Sequence, residues 1–251
     1  MNANEFERRM RAGEVYHALR LPPNAWTVVR IDGRSFSRYT EARFEKPFDP
    51  RFRDLMLVAA RALMAEANAL YGYTESDEIS LLLPRTWSMF DREIEKTVSV
   101  LAGVASAAFS VAAGEAAHFD ARVWVGATDA DVVDYFRWRQ SDATRCCLNG
   151  WVYWTLRNEG ASVEEATRAM ERQSVAGKNE ALFARGINFN EIPVWQRRGI
   201  GLRWDVHEVE GENPITGERT RAVRRRLVED GDLPMRETYG NYLADIIGEA
   251  A

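Results

Sequence analysis

Apolar and polar positions alternate along the chain in two rhythms, one helical and one of period two. Over residues 5 to 20 the spacing predicts a short amphipathic helix, stopped by Pro22 and Pro23. WTVVRID, at 26 to 32, is rich in β-branched residues and reads as a strand. Its alternation puts Val29 and Ile31 on one face and Val28, Arg30 and Asp32 on the other. Gly33 follows at once, a sign of a turn or a close backbone approach. From 50 to 68, Phe52, Met56, Ala59, Leu63 and Ala67 return at three- and four-residue steps and predict a helix with one apolar stripe. Two short strands are expected next, at about 69–75 and 78–83, joined tightly near Ser76-Asp77. Residues 90 to 114 predict a long helix, with Ile94, Val98, Leu101, Ala105 and Ala108 on one side and Arg92 and Lys96 about opposite. The small residues of LAGVASAAFS suit close approach to a sheet, and FDARVWVG at 119–126 is a further strand.

The order strand, helix, strand, strand, helix, strand is the ferredoxin-like βαββαβ plan of an α+β protein. In that plan both helices cover one sheet face, and the other is left for a ligand or partner. The first and third strands are central, so Asp32 is expected beside Asp77 and Glu78, about 45 residues away in sequence. Residues 129 to 184 read as helical, with breaks near Gly160 and Gly177. From 186 onward the pattern turns to strands. VWQRRGIGLRWDVHEVE and GERTRAVRRRLVE flank the turn signal ENPITG and predict a hairpin. The expected division is a palm-like catalytic core at 1–128 and a helical and β-hairpin extension at 129–251, together one catalytic unit.

Composition changes this picture little. The 251 residues, 46% hydrophobic and 28% charged, suit one large globular domain or two small ones. No apolar run approaches the ~20 residues that span a bilayer, so no membrane is expected. The N-terminus MNANEFERRMRAGE lacks the apolar core of a signal peptide. Cys146 and Cys147 are adjacent and read as reduced thiols of a cytoplasmic protein. A net charge of −5 argues against nucleic acid unless the basic residues cluster, and they do. Arg197, Arg198, Arg203, Arg219, Arg221, Arg224, Arg225 and Arg226 lie on the expected hairpin, a ribbon fit for RNA or for a solvated or subunit-facing surface. Trp195 and Trp204 offer either base stacking or core packing.

YTESDEISLLL raises the chemical question, because Glu75, Asp77 and Glu78 stand just before an apolar run. Carboxylates converging from neighbouring strands suit Mg²⁺, which prefers oxygen ligands and keeps several waters. Asp32 and Asp77 with the carbonyl of Gly33 would suffice, and two such ions clamp the attacking and leaving oxygens of a phosphoryl transfer. A turn aspartate, or an Arg30–Asp32 surface pair, remains the plain alternative.

VRIDGRSFSRYT, FEKPFDPRFRDLM, ESDEISLLL, YFRWRQSD and AGKNEALF resemble the tRNA(His) guanylyltransferases and their bacterial and archaeal relatives, the 3′–5′ polymerases. The resemblance runs from about residue 6 to 205 with order and spacing intact. It implies a polymerase-like palm, a homotetramer, and addition of nucleotides to the 5′ end of tRNA. It implies Asp32 and Asp77 as metal ligands for two Mg²⁺ ions, Gly33 as a main-chain ligand, and Glu78 as a supporting catalytic acid. Lys46, Ser76 and Lys96 match triphosphate-binding residues for ATP, GTP or other NTPs. Lys178 and Asn179 match positions near the nucleotide and the RNA end. One block departs: Thr144-Arg145-Cys146-Cys147-Leu148-Asn149-Gly150 replaces a His-Ile-Asn-Asn-Leu-Tyr-Asn run of the eukaryotic enzymes. That departure resembles the branch that repairs truncated tRNA 5′ ends by copying the opposite strand. Untemplated guanylylation of tRNA(His), a nucleotidyl cyclase on the same palm, and a non-catalytic RNA-binding module are the competing readings. The missing Gly-Gly-Glu-Glu-Phe run argues against the cyclase, and the intact acids and lysines against the module.

Overall fold

A computed structural model describes residues 2–212 and 219–248. The chain enters through helix α1 (Ala3–Arg11) and a separate 3-10 turn at Val15–Ala18. The single helix expected over 5–20 is therefore divided. None of the residues of α1 is buried, so no packing offsets Gly13, a residue that costs a helix up to ~1 kcal/mol. Strand β1 (Trp26–Gly33), helix α2 (Phe36–Glu41), helix α3 (Pro50–Glu66), strands β2 (Tyr71–Glu75) and β3 (Glu78–Leu83), helix α4 (Ile94–Ala113) and strand β4 (Phe119–Gly126) follow. Helices α5 (Asp129–Asn158), α6 (Val163–Glu171), α7 (Val175–Phe183) and α8 (Val194–Arg198) lead to the hairpin of β5 (Ile200–Glu212) and β6 (Arg219–Asp230), and α9 (Arg236–Gly248) ends the described chain.

The strands form one antiparallel sheet in the order β4-β1-β3-β2-β5-β6. Strands β1 and β3 are neighbours, with Asp32 in register with Glu78. The hairpin joins this same sheet through β2–β5 pairing. Its turn signal, apart from Glu212, lies outside the described residues.

Both faces of the sheet are covered. Val29, Ile31, Ile79 and Leu81 pack against Leu63 of α3 and Leu101, Ala105 and Phe109 of α4. On the other face Val28, Tyr71, Tyr73 and Leu82 pack against Val132 and Phe136 of α5 and Tyr239, Leu243 and Ile247 of α9. The expectation of one open face is corrected. Apolar side chains on both sides of β1 to β3 leave neither side fit for water. Further corrections concern helices. α8 and α9 occupy stretches expected to be extended. Gly177 sits inside α7 rather than at its break. Gly160, at φ +99°, does break the chain after α5. α4 is long and apolar enough to cross a membrane by length and composition, contrary to expectation. Its Leu101, Ala105 and Phe109 are nonetheless buried against the sheet, and the core helix of a globular protein passes the same test.

Candidate active site

Strand β1 delivers Asp32 to the rim of the sheet and ends at Gly33. The main-chain N–H of Gly33 donates to the carbonyl of Asp77 at 2.9 Å. That bond ties the end of β1 to the two-residue loop between β2 and β3. Ser76 holds the loop in the left-handed region, at φ +47°. Gly33 has a packing reason to be glycine, because a Cβ there would lie 2.5 Å from the ring of Phe36.

Asp32 and Asp77 are thus brought together from strands far apart in sequence. Neither forms an ion pair among the described residues. The hydroxyl of Ser76 donates to Asp77 at 3.1 Å. Burial pushes the Asp77 carboxyl above its ordinary range, and the neighbouring charge of Asp32 adds to the rise. Two partly buried carboxylates without a cation are unstable company unless something positive joins them.

Glu75 and Glu78 flank the same loop and have a different fate. Arg139, from α5, donates to both oxygens of Glu78 at 2.7 and 2.8 Å and to Glu75 at 2.9 Å. Arg30 stands 3.6 Å from Glu78. Burial raises both glutamates, and Arg139 opposes the rise. The structure therefore places Glu78, expected as a catalytic acid, in a buried ion pair that locks α5 to the sheet.

Lys46 arrives on the loop before α3. The carboxylate of Asp49 shapes that loop, accepting from the N–H groups of Glu45 (2.9 Å) and Arg51 (2.8 Å). The second bond also caps α3. Lys46 Nζ donates to the Thr40 hydroxyl at 2.5 Å and lies 5.7 Å from the centre of the Trp154 ring. Burial lowers its ammonium below the usual lysine value, while Glu41 and then Asp77 hold it up. Lys46, Ser76, Asp77, Trp154 and Trp195 line one cleft of about 380 Å³, within the usual size for a small-ligand site.

The remaining expected residues lie elsewhere. Lys96 is near the start of α4, 3.3 Å from Glu93. Ten residues on, Ser106 accepts from the N–H of Phe119, the residue in register with Gly33. Lys96 is therefore about 15 Å of helix away from the acids. Lys178 donates to Asn149 at 2.8 Å and lines a separate cleft. The side-chain amide of Asn179 donates back to the carbonyl of Val175. The basic ribbon is partly engaged: Arg226 pairs with Asp205 at 2.9 Å, Arg221 with Glu210 at 3.4 Å, and Arg198 bonds the carbonyl of Leu233. Trp204 bonds the carbonyl of Ala69 and lies under Arg225, so it belongs to the edge of the core. Trp195, on α8, faces the cleft under Arg53. Cys146 and Cys147 are unpaired, the first exposed and the second buried.

Sequence reasoning missed Arg139, Thr40 and Asp49. Arg139 sits inside the quoted YFRWRQSD block, and a charged residue on a helix position that turns out buried was its only signal.

Two aspartates that form no ion pair, a lysine and an open cleft at the rim of one sheet are an arrangement able to hold a divalent cation and phosphate charge. A family model described as tRNAHis guanylyltransferase matches residues 7–129, and one for the C-terminal domain of the same family matches 130–247. A probable tRNA(His) guanylyltransferase of Dictyostelium discoideum is 33% identical over 233 residues, 87% of this chain and 90% of that protein. A tRNA(His) guanylyltransferase of Debaryomyces hansenii is 31% identical over 245 residues, 91% of this chain and 89% of that one. A bacterial tRNA(His) guanylyltransferase-like protein solved with ATP superposes with a TM-score of 0.74 at 25% identity, covering 96% of this chain and 99% of its own. Its solved complex with GTP gives 0.70 at 26%, covering 97% and 99%. The chain belongs to the tRNA(His) guanylyltransferase family, and it is a nucleotidyltransferase.

Proposed function

We propose that this protein adds nucleotides to the 5′ end of tRNA in the 3′–5′ direction, copying the opposite strand to repair truncated ends. The observation that carries the reading is the meeting of Asp32 and Asp77, neither in an ion pair among the described residues, beside a cleft that holds Lys46 and Ser76. The strand order β4-β1-β3-β2, with α3 and α4 on one face, supports a ferredoxin-like palm as the catalytic core. Residues 1–128 and 129–251 act in this reading as one unit, since Arg139 of the second part anchors the loop of the first.

The donor set suits Mg²⁺. The carboxylates of Asp32 and Asp77 form no ion pair among the described residues, whereas Glu75 and Glu78 do. Asp32, Asp77 and the Gly33 carbonyl would hold the metal, which supplies charge neutralisation at the transferring phosphate. Lys46 binds the triphosphate of ATP, GTP or another NTP as a point charge, and burial keeps its ammonium close to its target. Ser76 presents its hydroxyl at the same rim. Glu78 positions the loop through Arg139. Lys96 keeps a triphosphate role only if another copy supplies it, and a homotetramer provides that route. Unpaired thiols support a cytoplasmic setting.

The names of the relatives favour a second reading, guanylylation of tRNA(His), which in its untemplated form is the competitor of repair. In this chain the hydroxyl of Thr144, at the departing block, is spent on the carbonyl of Arg197 at 2.8 Å. One experiment separates the two. Transcripts lacking one 5′ nucleotide carry C, G, A or U at the opposing position, all four NTPs are supplied, and the extended ends are sequenced. Repair predicts the complementary nucleotide in each case, because a mismatch leaves polar edges unpaired at about 1–3 kcal/mol each. Equal addition of G against all four bases contradicts it.

A further inference from the structure

The charges of Glu41 and Asp77 both act on Lys46, yet Lys46 forms an ion pair with neither among the described residues. Its half-buried ammonium rests on two neutral groups instead. One is the Thr40 hydroxyl, to which Nζ donates, and the other is the face of Trp154, 5.7 Å from Nζ to the ring centre. A lysine is a point charge on a flexible stem, and away from bulk water a carboxylate within reach attracts it strongly. Something keeps this one in a different place.

Thr40 has the means to do so. It is buried in the last turn of α2 and lines the same cleft as Lys46 and Asp77. Its hydroxyl donates to the carbonyl of Phe36 at 2.8 Å, the back-bond that threonine makes within a helix. A hydroxyl has one proton to give, so towards Lys46 the Thr40 oxygen acts as an acceptor. An uncharged acceptor holds the ammonium and leaves its charge uncancelled. The hold is also tied to the acids. Phe36 is buried, and its ring fills the space that a Cβ on Gly33 would need. Lys46, Thr40, Phe36 and Gly33 thus form one run of contacts from the cation to the end of β1.

We infer that Thr40 is a positioning residue, which holds the Lys46 ammonium where the triphosphate arrives and off the carboxylate of Asp77. The inference rests on the nucleotide role proposed above for Lys46. It gives a reason why a lysine and an aspartate can face one cleft without neutralising each other. A pair between them would spend both groups, the aspartate wanted for metal and the lysine wanted for phosphate. Placement matters here, since a misplacement of about 1 Å can slow a transfer about 100-fold. Thr40 acts through Lys46, so its contribution should vanish once the lysine is gone.

The test measures ATP binding with Mg²⁺ by calorimetry, without RNA, in the full-length protein. Wild type is compared with Thr40→Val, Thr40→Ser, Lys46→Ala and the double variant Thr40→Val with Lys46→Ala, and each is melted. Valine keeps the shape and removes the acceptor. Thr40→Val should weaken ATP binding roughly 3- to 10-fold, the worth of a single hydrogen bond. Thr40→Ser keeps the hydroxyl and should bind ATP as the wild type does. In the Lys46→Ala background Thr40→Val should add nothing, as expected of two residues that act as one. Wild-type binding in Thr40→Val, with a clear loss in Lys46→Ala, overturns the inference alone. So does a loss that persists in full without Lys46, which would make Thr40 a direct contact, and so does an equal loss in Thr40→Ser with a fall in melting temperature, which would make Thr40 structural. If Lys46→Ala itself binds ATP as the wild type does, the proposed phosphate role of Lys46 fails, and the inference falls with it.

Discussion

Two pairs of carboxylates sit within a few residues of each other at one rim of the sheet. Glu75 and Glu78 are clamped by Arg139, with Arg30 behind. Asp32 and Asp77 meet beside them and form no ion pair among the described residues, with Lys46 the charge that faces Asp77 across the cleft. Burial raises Glu75, Glu78 and Asp77 above their ordinary values, and only the glutamates have an ion-pair partner within the described chain. A compensated pair holds structure together; an uncompensated one has charge to offer a ligand. Four acids in one neighbourhood therefore divide into a paired set and an unpaired set, and the proposed function makes the first an anchor and the second the site.

The strongest way to break this division is to remove the anchor. Arg139→Ala strands two buried carboxylates, and the loss of stability in denaturant should reach about 3–5 kcal/mol. Replacing its three hydrogen-bonded members with Glu75→Gln, Glu78→Gln and Arg139→Met should restore much of it, since a buried ion pair replaced whole is often near neutral and Asp142 keeps Arg145 as a partner. If Arg139→Ala melts like the wild type, the anchor reading is wrong.

The reciprocal change tests the site. Asp77→Asn keeps the shape and removes the charge, and nucleotide addition should fall about 100- to 1,000-fold, the usual loss when one charge-stabilising group goes. Its melting temperature should hold or rise, because it relieves the repulsion with Asp32. Near-normal turnover would remove Asp77 from the site.

Lys46→Ala sharpens the comparison from the cationic side. KM for the NTP should rise about 10-fold, one charged contact being worth roughly 1.5 kcal/mol. Stability should change by less than about 0.5 kcal/mol. The opposite pattern would mark Lys46 as structural.

The smallest effect is expected at Asp49, which shapes the Lys46 loop. Asp49→Ala should cost about 1 kcal/mol as a lost helix cap. The Arg51 side chain first, and main-chain N–H groups after it, hold the Asp49 carboxyl down at about 2. A depressed carboxyl stabilises the fold above its ordinary value, and that contribution fades as pH falls towards about 2. The stability gap between wild type and Asp49→Ala should therefore be full near neutral pH and narrow in acid. A gap that does not change with pH would contradict the assignment.

The pairing of Asp32 with the Asp77 loop is legible in the amino-acid sequence, because alternation along β1 and the order of elements specify which strands touch. The ion pair of Glu78 is not. Its partner, Arg139, is 61 residues away on a helix packed across the sheet, and no local period records such a contact. The covered second face escapes sequence reasoning for a related reason. Tyr239, Leu243 and Ile247 recur at four-residue steps along α9, but the strand-rich stretch before them sets the expectation of further strands. Lys96 is placed by matching a motif, and a motif carries no distance: α4 starts at the far end of the sheet and runs back towards the acids.

Divalent metal binding tests the division between anchor and site most directly. Mn²⁺ is titrated, in the presence of an NTP, into wild type, Asp77→Asn and Glu75→Gln, with bound ion read by its paramagnetic signal. The account predicts that Asp77→Asn loses most of the bound Mn²⁺, while Glu75→Gln binds it as the wild type does. Binding that survives Asp77→Asn but disappears in Glu75→Gln would contradict it.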